Sequence, residues 1–457
     1  MFALMPYNRK NIPTPLPCVC FPPCQTVLSV PDAMAPGKLR GRRGVARIED
    51  MGERKREFYE EVNKEGEKTC MECYYGESEK DKIRKKIVHI FIGGQTMRKK
   101  IMKRCLIGLG IIFGVIVVYK GGISGHSVPI LKEESISEYR TVTLGGIEQS
   151  ILIRGENKGN PVLLYIHGGP GNPETPFVVP YQKEWEKYFM VVNWDQRGAG
   201  RSYSDDIDTD QLTTDLICSD AIELTEYLKE TFDVDKIYLV AHSYGTYVGM
   251  RCIQSNPEDY YAYVGIGQIG NQQNNERYLI TYATEMALKT NNQKAITELN
   301  TLGELPYDKT EFGKKISLSR KWTTYYGGSV YGKKNSNCFT LEAILRPEYN
   351  VFDLIHYIQG ENLYYSNTKS DHARWELFNA NLLEEIPSVE VPVFFIQGEH
   401  DFTTSFQACS EYYDHLQAPY KELIPVPDCA HNPVYEATST VSHILIHKVR
   451  TIITSKD

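Results

Sequence analysis

The chain has 457 residues, of which 41% are hydrophobic and 24% are charged, with 35 glycines and 23 prolines. This composition excludes a collagen-like, coiled-coil or wholly disordered chain, and the length allows a large buried core. The net charge of −7 is uneven, because residues 1–104 carry 22 basic and 13 acidic side chains and the remainder is strongly acidic. The acidic body argues against a nucleic-acid binder and confines any anionic partner, such as a membrane surface, to the front of the chain.

Residues 1–96 contain proline- and cysteine-rich patches followed by a charged run, without a convincing core. Cys70 and Cys73 have the C-x-x-C spacing of half a zinc site, but no second pair follows at zinc-finger spacing, so no metal is expected. We interpret this stretch as a poorly ordered extension, or as the product of a start codon placed too far upstream of Met97. A cytoplasmic tail is the alternative.

The segment 97–120 combines a basic stretch, MRKKIMKR, with an unbroken apolar run of 15 residues at 105–119. This order is the pattern of a signal sequence or a signal anchor; a buried core helix is the alternative. The run is shorter than the ~20 residues of a full span, although flanking basic side chains can reach the membrane surface. We expect an uncleaved single-pass anchor in the cell membrane, which places a linker at 121–134 and the remaining chain outside the cell.

Beyond residue 135, apolar runs alternate with amphipathic helical stretches. The pattern predicts a helix over Thr209–Thr231 and strands at Thr141–Leu144, Ser150–Arg154, Val162–His167, Met190–Asp195, Ile237–Ala241, Ala262–Gly267, Val393–Gln397 and Glu422–Val426. Continuous runs such as VLLYI and IYLVA are typical of strands buried on both faces of a mostly parallel sheet. We therefore expect an α/β core at 135–270 and 391–457, with a helical cap inserted at 271–390.

A serine between small residues follows the fifth predicted strand, in Ala241-His242-Ser243-Tyr244-Gly245. A strand, a sharp turn and a helix around such a serine form the nucleophile elbow of the α/β-hydrolase fold, in which the serine hydroxyl attacks a carbonyl carbon. The alternative is an ordinary serine at the N-terminal cap of a helix.

A glycine-rich loop, HGGPG at 167–171, follows the third predicted strand, where this fold supplies an oxyanion donor. Glycines let backbone N–H groups approach the negative oxygen of a tetrahedral intermediate. We therefore expect the N–H groups of Gly169 and Tyr244, with that of Gly168, to form the oxyanion hole.

A serine nucleophile needs a histidine base, and the base needs a carboxylate that orients it. The chain order in this fold is serine, acid, histidine, and Asp401 and His431 follow the last two predicted strands in that order. Glu399 and Asp428 are the competing acids. The sequence therefore predicts a triad of Ser243, Asp401 and His431 at one edge of the sheet.

Five motifs together, HGGPG, DQRGAGRS, the serine elbow, GEHD and CAHNP, resemble the prolyl iminopeptidase family of α/β hydrolases over roughly residues 135–455. Ala241 and His242 depart from the glycines that this family usually has there, which puts strict proline specificity in doubt. We expect the charges of DQRGAGRS, at 195–202, to brace the loops around the site.

The resemblance implies a serine hydrolase that removes proline or similar N-terminal residues from small peptides or amides, without a cofactor. It also implies that acidic residues of the cap hold the free α-amino group of the substrate, in the places of Glu361 and of Glu276 or Glu285. A carboxylesterase or lactonase with the same triad is the first alternative. A catalytically dead surface-binding protein is the second.

Overall fold

The computed structural model describes residues 125–366 and 372–451, together with scattered residues between 102 and 119. The chain divides into two units, Met1–Met97 and Arg98–Asp457, and everything described below belongs to the second. The expected extension at 1–96, including Cys70 and Cys73, lies outside the described residues.

Eight strands form one sheet in the order β1-β2-β4-β3-β5-β6-β7-β8. The strands are β1 Ile136–Leu144, β2 Ile147–Gly155, β3 Val162–Ile166, β4 Met190–Asp195, β5 Ile237–His242, β6 Tyr260–Ile266, β7 Val393–Gly398 and β8 Lys421–Val426. The first two strands pair antiparallel with each other, β2 pairs antiparallel with β4, and all later neighbours pair parallel. The predicted α/β fold with a mostly parallel sheet is therefore confirmed, and each predicted strand overlaps an observed one.

The central strands are buried on both faces, as their unbroken apolar runs predict. Alternate side chains of β3 enter two different cores: Leu164 packs into one apolar cluster and Leu163 into a second cluster. This alternation follows from the two-residue period of a strand, which sends successive side chains to opposite faces. Both faces of the sheet are therefore covered.

Helices flank the sheet and fill the connection between β6 and β7. The core helices are α1 Thr175–Val178, α2 Thr214–Phe232, α3 Tyr244–Ser255, α11 Phe406–His415, α12 Pro433–Glu436 and α13 Thr438–Ile444. The helices between β6 and β7 are α4 Gln272–Lys289, α5 Gln293–Leu299, α6 Phe312–Tyr325, α7 Asn337–Leu345, α8 Val351–Ser366, α9 His372–Asn379 and α10 Leu382–Glu385. We refer to the second group as the cap.

The membrane anchor falls largely outside the part of the chain that the structure describes. Among the described residues, no helix has both the length and the apolar character needed to span a bilayer. The apolar run at 105–119 is described at only a few positions, so the anchor stays a prediction.

Candidate active site

Ser243 occupies the sharp turn between β5 and α3, with φ 53° and ψ −122°. A non-glycine residue in this region costs about 1–3 kcal/mol, and the surrounding structure has to hold it there. Its N–H donates to the carbonyl of Ile266 at 2.9 Å, and the N–H of Thr246 donates to the Ser243 carbonyl at 2.8 Å. The hydroxyl makes no hydrogen bond to the start of α3. The geometry therefore fits the elbow interpretation: Ser243 stands at the N-cap position of α3, but its hydroxyl does not cap the helix.

Gly245 is required because the elbow passes close to the neighbouring strand. A Cβ at this position would lie 2.4 Å from the carbonyl oxygen of Ile166 and 2.7 Å from that of His167. Both of these atoms belong to backbone, which cannot move aside as a flexible side chain can. The small residue after the serine thus allows α3 to pack against the end of β3.

The three predicted triad residues meet at the carboxyl edge of the sheet, although they are far apart in the chain. Nε2 of His431 lies 2.9 Å from Oγ of Ser243, and Nδ1 of His431 lies 2.9 Å from Oδ2 of Asp401. Since the carboxylate accepts the proton on Nδ1, Nε2 is left to accept the serine proton. This arrangement can activate a hydroxyl for attack on a carbonyl carbon.

Asp401 is held by donors alone. Its carboxylate accepts from the N–H groups of Thr403 and Thr404 at 2.8 and 3.0 Å, from the Thr404 hydroxyl at 2.9 Å and from the Gln397 amide at 2.9 Å. Such a set of hydrogen bonds fixes the orientation of the carboxylate. The competing acids Glu399 and Asp428 are exposed. The structure therefore places Asp401, and neither competitor, against the histidine.

Of the three backbone N–H groups expected to form the oxyanion hole, one already has an acceptor. The N–H of Gly168 points to the carboxylate of Glu174 at 3.3 Å, so Gly168 does not supply the donor that the sequence predicted. Within the described residues, the N–H groups of Gly169 and Tyr244 have no acceptor. Gly168 instead makes room for the elbow, since a Cβ there would lie 2.9 Å from the Cβ of Ser243.

A buried ion pair beneath the site was missed by the sequence analysis. Glu174 Oε1 lies 2.6 Å from Nδ1 of His242, and its Oε2 accepts from the hydroxyls of Tyr165 and Tyr435 at 2.7 Å each. Nε2 of His242 lies 2.9 Å from the carbonyl oxygen of His431. The pair thus joins the glycine-rich loop, the elbow and the histidine loop.

The pKa shifts of Glu174 and His242 favour an ionised carboxylate and a protonated imidazole. Burial alone would raise the pKa of Glu174, but the charge of His242 and the hydrogen bonds from its three side-chain donors lower it to about 2. Burial alone would lower the pKa of His242, but the Glu174 carboxylate outweighs burial and raises it. By contrast, desolvation lowers the pKa of the neighbouring His167 to about 4, which keeps that imidazole neutral.

A cavity of about 690 Å³ lies between the triad and the cap. Ser243, His431 and Gly169 line its floor, so a bound carbonyl group can reach the serine. Its polar lining residues, which we call the polar wall, include Glu276, Arg320, Glu361, Tyr365 and Arg374. Its apolar lining residues from α1, α7 and α8, which we call the apolar wall, are Phe177, Phe339, Ala343, Ile344, Leu354 and Ile358. The cavity therefore offers both charged and apolar groups to a substrate.

The three cap carboxylates expected to bind substrate have different surroundings. Glu361 lines the cavity, and desolvation by the surrounding walls raises its pKa even though its side chain remains accessible through the opening. Glu276 also lines the cavity but is buried and already paired, with Arg320 at 2.7 Å and with the hydroxyl of Ser319. Glu285 is exposed and does not line the cavity, so its assignment to the site is wrong.

The DQRGAGRS loop braces the site, as the sequence predicted. Arg197 forms a buried ion pair with Asp220 at 2.7 Å, and its carbonyl accepts from the hydroxyl of Tyr364 in the cap at 2.8 Å. Arg201 pairs with Asp353 of α8 at 2.8 Å. The loop after β4 thus fixes α8 above the catalytic edge.

Comparison with known proteins agrees with this geometry. A sequence profile of the alpha/beta hydrolase fold matches residues 161–438. The chain is 31% identical over 326 residues to the probable aminopeptidase YbaC of Bacillus subtilis (strain 168). The aligned region covers 70% of this chain and 99% of that protein. It is 24% identical over 297 residues to a proline iminopeptidase of Lactobacillus delbrueckii subsp. lactis. That aligned region covers 64% of this chain and 91% of the relative. The crystal structure of the Mycobacterium smegmatis proline iminopeptidase has the same fold, with a TM-score of 0.50 at 15% identity over 70% of this chain and 100% of that one.

The chain therefore belongs to the α/β-hydrolase fold family. Within it, this protein is an enzyme of the prolyl iminopeptidase-like group of serine hydrolases, as its motifs predicted.

Proposed function

We propose that this enzyme is a serine aminopeptidase that releases proline or similar residues from the N-terminus of small peptides and amides. Ser243 Oγ attacks the carbonyl carbon while His431 takes its proton, and an acyl-enzyme forms as His431 returns the proton to the leaving amine. Asp401 orients His431 and stabilises the imidazolium. The Gly169 and Tyr244 N–H groups stabilise the oxyanion. A water molecule, activated by the same histidine, releases the acyl group.

The observation that carries the proposal is a carboxylate in the reaction cavity that forms no ion pair with another described residue. Glu361 lines the same cavity as Ser243, and within the described residues it has no ion pair. Desolvation raises its pKa, which means that its charged form lacks compensation in the free enzyme. The protonated α-amino group of a peptide supplies that compensation. A blocked amine leaves the carboxylate unpaired and binds less well.

Glu276 has a different part in this proposal. Its carboxylate is already compensated by Arg320 at 2.7 Å, so an ammonium group would have to compete with a guanidinium for it. We assign Glu276 to holding α6 against α4, where it keeps the polar wall in place. The amine is left to Glu361.

The test compares kcat/KM for aminoacyl amides, with proline and with other residues, before and after acetylation of the amine. Acetylation should lower kcat/KM at least about tenfold, because an unpaired carboxylate costs ~1–3 kcal/mol or more. Glu361→Gln should remove most of this discrimination, and Glu285→Gln, which deletes an exposed charge of the cap outside the cavity, should leave it unchanged. Ser243→Ala supplies the background rate. Equal rates on free and acetylated substrates would reject the aminopeptidase proposal.

A carboxylesterase or lactonase with the same triad is the second candidate, favoured by the apolar wall of the cavity. Phe177, Phe339 and Leu354 offer no polar group to an amide beyond the scissile bond. Short-chain esters belong in the same panel of substrates. Ester hydrolysis that exceeds amide hydrolysis and ignores Glu361→Gln would select this candidate.

We also propose that the catalytic domain lies outside the cell, held at the cell membrane by residues 105–119. The basic stretch before this apolar run supports the orientation, since positive charge is retained on the cytoplasmic side. Fractionation of cells that express the full chain, followed by protease treatment of intact cells, tests the idea. The enzyme should sediment with membranes and be cleaved from outside. Recovery in the soluble fraction would reject the anchor.

A further inference from the structure

Two consecutive cap helices present apolar side chains to the outside. On α7, Leu341 and Leu345 are 59% and 58% exposed, and on α8, Phe352, Ile355 and Ile358 are 67%, 47% and 57% exposed. We refer to these five residues as the α7–α8 face. Scattered exposed apolar residues are normal in soluble proteins, whereas five on two consecutive helices are a candidate interaction site.

The pattern along α8 shows that this exposure follows the helical repeat. Asp353, Gly360 and Tyr364 are buried and face the hydrolase core, at spacings of seven and four residues. The opposite side of a helix that packs on one face is usually polar. Here the exposed side chains in the first half of α8 are Phe352, Ile355 and Ile358, and polar Asn362 follows in the second half, so the apolar outer side is confined to the N-terminal half of α8.

The α7–α8 face is continuous with the apolar wall of the reaction cavity. Ile358 belongs to both, because it is largely exposed and also lines the cavity. Its neighbours Ile344 and Leu354 line the cavity from the same two helices. Ile358 therefore connects the face to the lining of the cavity.

The chain approaches the catalytic domain beside the same face. The N–H of Gly125 donates to the carbonyl of Pro347, between α7 and α8, at 2.7 Å, and the hydroxyl of Tyr119 donates to the carbonyl of Leu345 at 3.4 Å. The apolar run 105–119 and its basic stretch immediately precede this point in the sequence. A membrane that binds residues 105–119 would therefore lie near the α7–α8 face as well.

We propose that the α7–α8 face rests on a lipid bilayer and that the cavity takes amphiphilic substrates from that surface. The exposed Leu, Ile and Phe side chains enter the boundary between headgroups and acyl chains. Membrane contact stands independently of the chemistry. The substrate class, aminoacyl amides or peptides with an apolar tail, rests on the proposed function.

A fluorescence experiment on the full chain tests membrane contact without requiring turnover. Phe352→Trp places a reporter on the face, and Leu288→Trp places a matched one on α4, where the replaced side chain is 60% exposed. Each variant is reconstituted into phosphatidylcholine–phosphatidylglycerol vesicles with plain or brominated acyl chains, and the signal of the four native tryptophans is subtracted using the parent chain. Brominated lipid should quench the reporter at 352 and spare the one at 288. Equal quenching at both positions, or none at 352, overturns the proposal.

Kinetics test the substrate class. In vesicles, Leu345→Ser combined with Phe352→Ser should lower kcat/KM for a long-chain aminoacyl alkylamide about tenfold, because the apolar area in contact with lipid is lost. The same variant should hydrolyse a short water-soluble aminoacyl amide at the parent rate, which also shows that it is folded. An equal loss on both substrates rejects the entry route.

The main competing occupant of the face is a second copy of the chain. In that case the reporter at 352 stays unquenched, and Leu345→Ser converts a dimer into a monomer, as measured by light scattering. That result overturns membrane contact. If instead the triad assignment were wrong, Ser243→Ala would keep its turnover and the quenching pattern would remain. Failure of the membrane contact and failure of the triad assignment are therefore distinguishable.

Discussion

The Glu174 carboxylate and the His242 imidazole form a buried ion pair of 2.6 Å at the residue next to Ser243. The second nitrogen of His242 faces the carbonyl oxygen of His431 at 2.9 Å. Since both partners are acceptors, both ring nitrogens donate, which requires a doubly protonated imidazolium. A protonated imidazole therefore lies beside the loop of His431, and the Glu174 carboxylate stabilises it.

Removing the charge of Glu174 should disturb both stability and turnover. Glu174→Gln leaves His242 without its counter-ion, and breaking a buried pair in this way costs about 3–5 kcal/mol. We expect kcat to fall roughly tenfold or more, because the His431 backbone and the Gly168 loop both lose a fixed neighbour. Urea unfolding and steady-state kinetics measure the two effects.

Glu186→Gln is the matched control for this variant. It breaks the buried Arg154–Glu186 pair of 2.6 Å, which lies outside the cavity. This control should lose stability while keeping kcat. If both variants lost kcat equally, the lower kcat of Glu174→Gln would result from the lower stability of the fold and not from a change at the site.

The Glu174–His242 pair also predicts a pH window for stability. The pKa of Glu174 is lowered from 4.5 to about 2, so its contribution is present above 4.5 and is lost as the pH falls toward 2. The pKa of His242 is raised above 6.5, so its contribution is present below 6.5 and is lost as the pH rises through the folded value. The difference in unfolding free energy between the parent and Glu174→Gln should therefore be largest between these limits. A difference independent of pH would contradict the ion pair.

Asp401 provides a direct test of the acid assignment. Asp401→Asn should lower kcat by about 10⁴, because an amide can no longer hold the tautomer in which Nε2 of His431 accepts the serine proton. Glu399→Gln and Asp428→Asn remove exposed charges nearby and should each keep kcat within about twofold, as substitutions of exposed residues usually do. Steady-state assays on one substrate, with circular dichroism as a check of folding, decide between the three acids.

The triad could be predicted because its residues lie in local patterns that recur at strand ends. Ser243 has an elbow sequence around it, and Asp401 and His431 follow runs that are recognisable as strands. Parallel strands bring their carboxyl ends to one edge, so the order of the sheet joins what the chain separates. The positions of these three side chains at one edge of the sheet could thus be predicted without coordinates.

The Glu174–His242 pair could not be predicted in this way. Glu174 is 68 residues from His242 and 261 residues from Tyr435, and no local spacing marks these contacts. The signal that was available, a histidine in place of glycine before the serine, indicated a difference without indicating a partner. Buried pairs of this kind depend on side-chain packing between distant segments.

The error at Glu285 has a simple geometric origin. Glu276 and Glu285 lie on the same helix, α4, and nine residues of helix separate them by about 13 Å along its axis. Only one of the two could line a small region above the serine. Without the helix bounds and the position of the cavity, the sequence offered no way to choose between them.

Gly168 gives the last prediction, which concerns space at the elbow. In Gly168→Ala the new Cβ would lie 2.9 Å from the Cβ of Ser243 and 3.4 Å from the carbonyl oxygen of His242. Because real Cβ atoms do not approach so closely, the elbow or the loop has to shift. A displacement of a few tenths of an ångström lengthens the 2.9 Å contact between Ser243 and His431, so kcat should fall by about tenfold to a hundredfold.

The matched substitution is Gly159→Ala, in the turn before β3, where the nearest atom to a new Cβ is a side-chain oxygen of Asn157 at 3.2 Å. This turn is remote from the triad, so kcat should not change. Both variants should unfold within about 1–2 kcal/mol of the parent, since each adds one methyl group. A Gly168→Ala enzyme with parental kcat would show that the loop yields without moving the serine, and the steric part assigned to Gly168 would then be wrong.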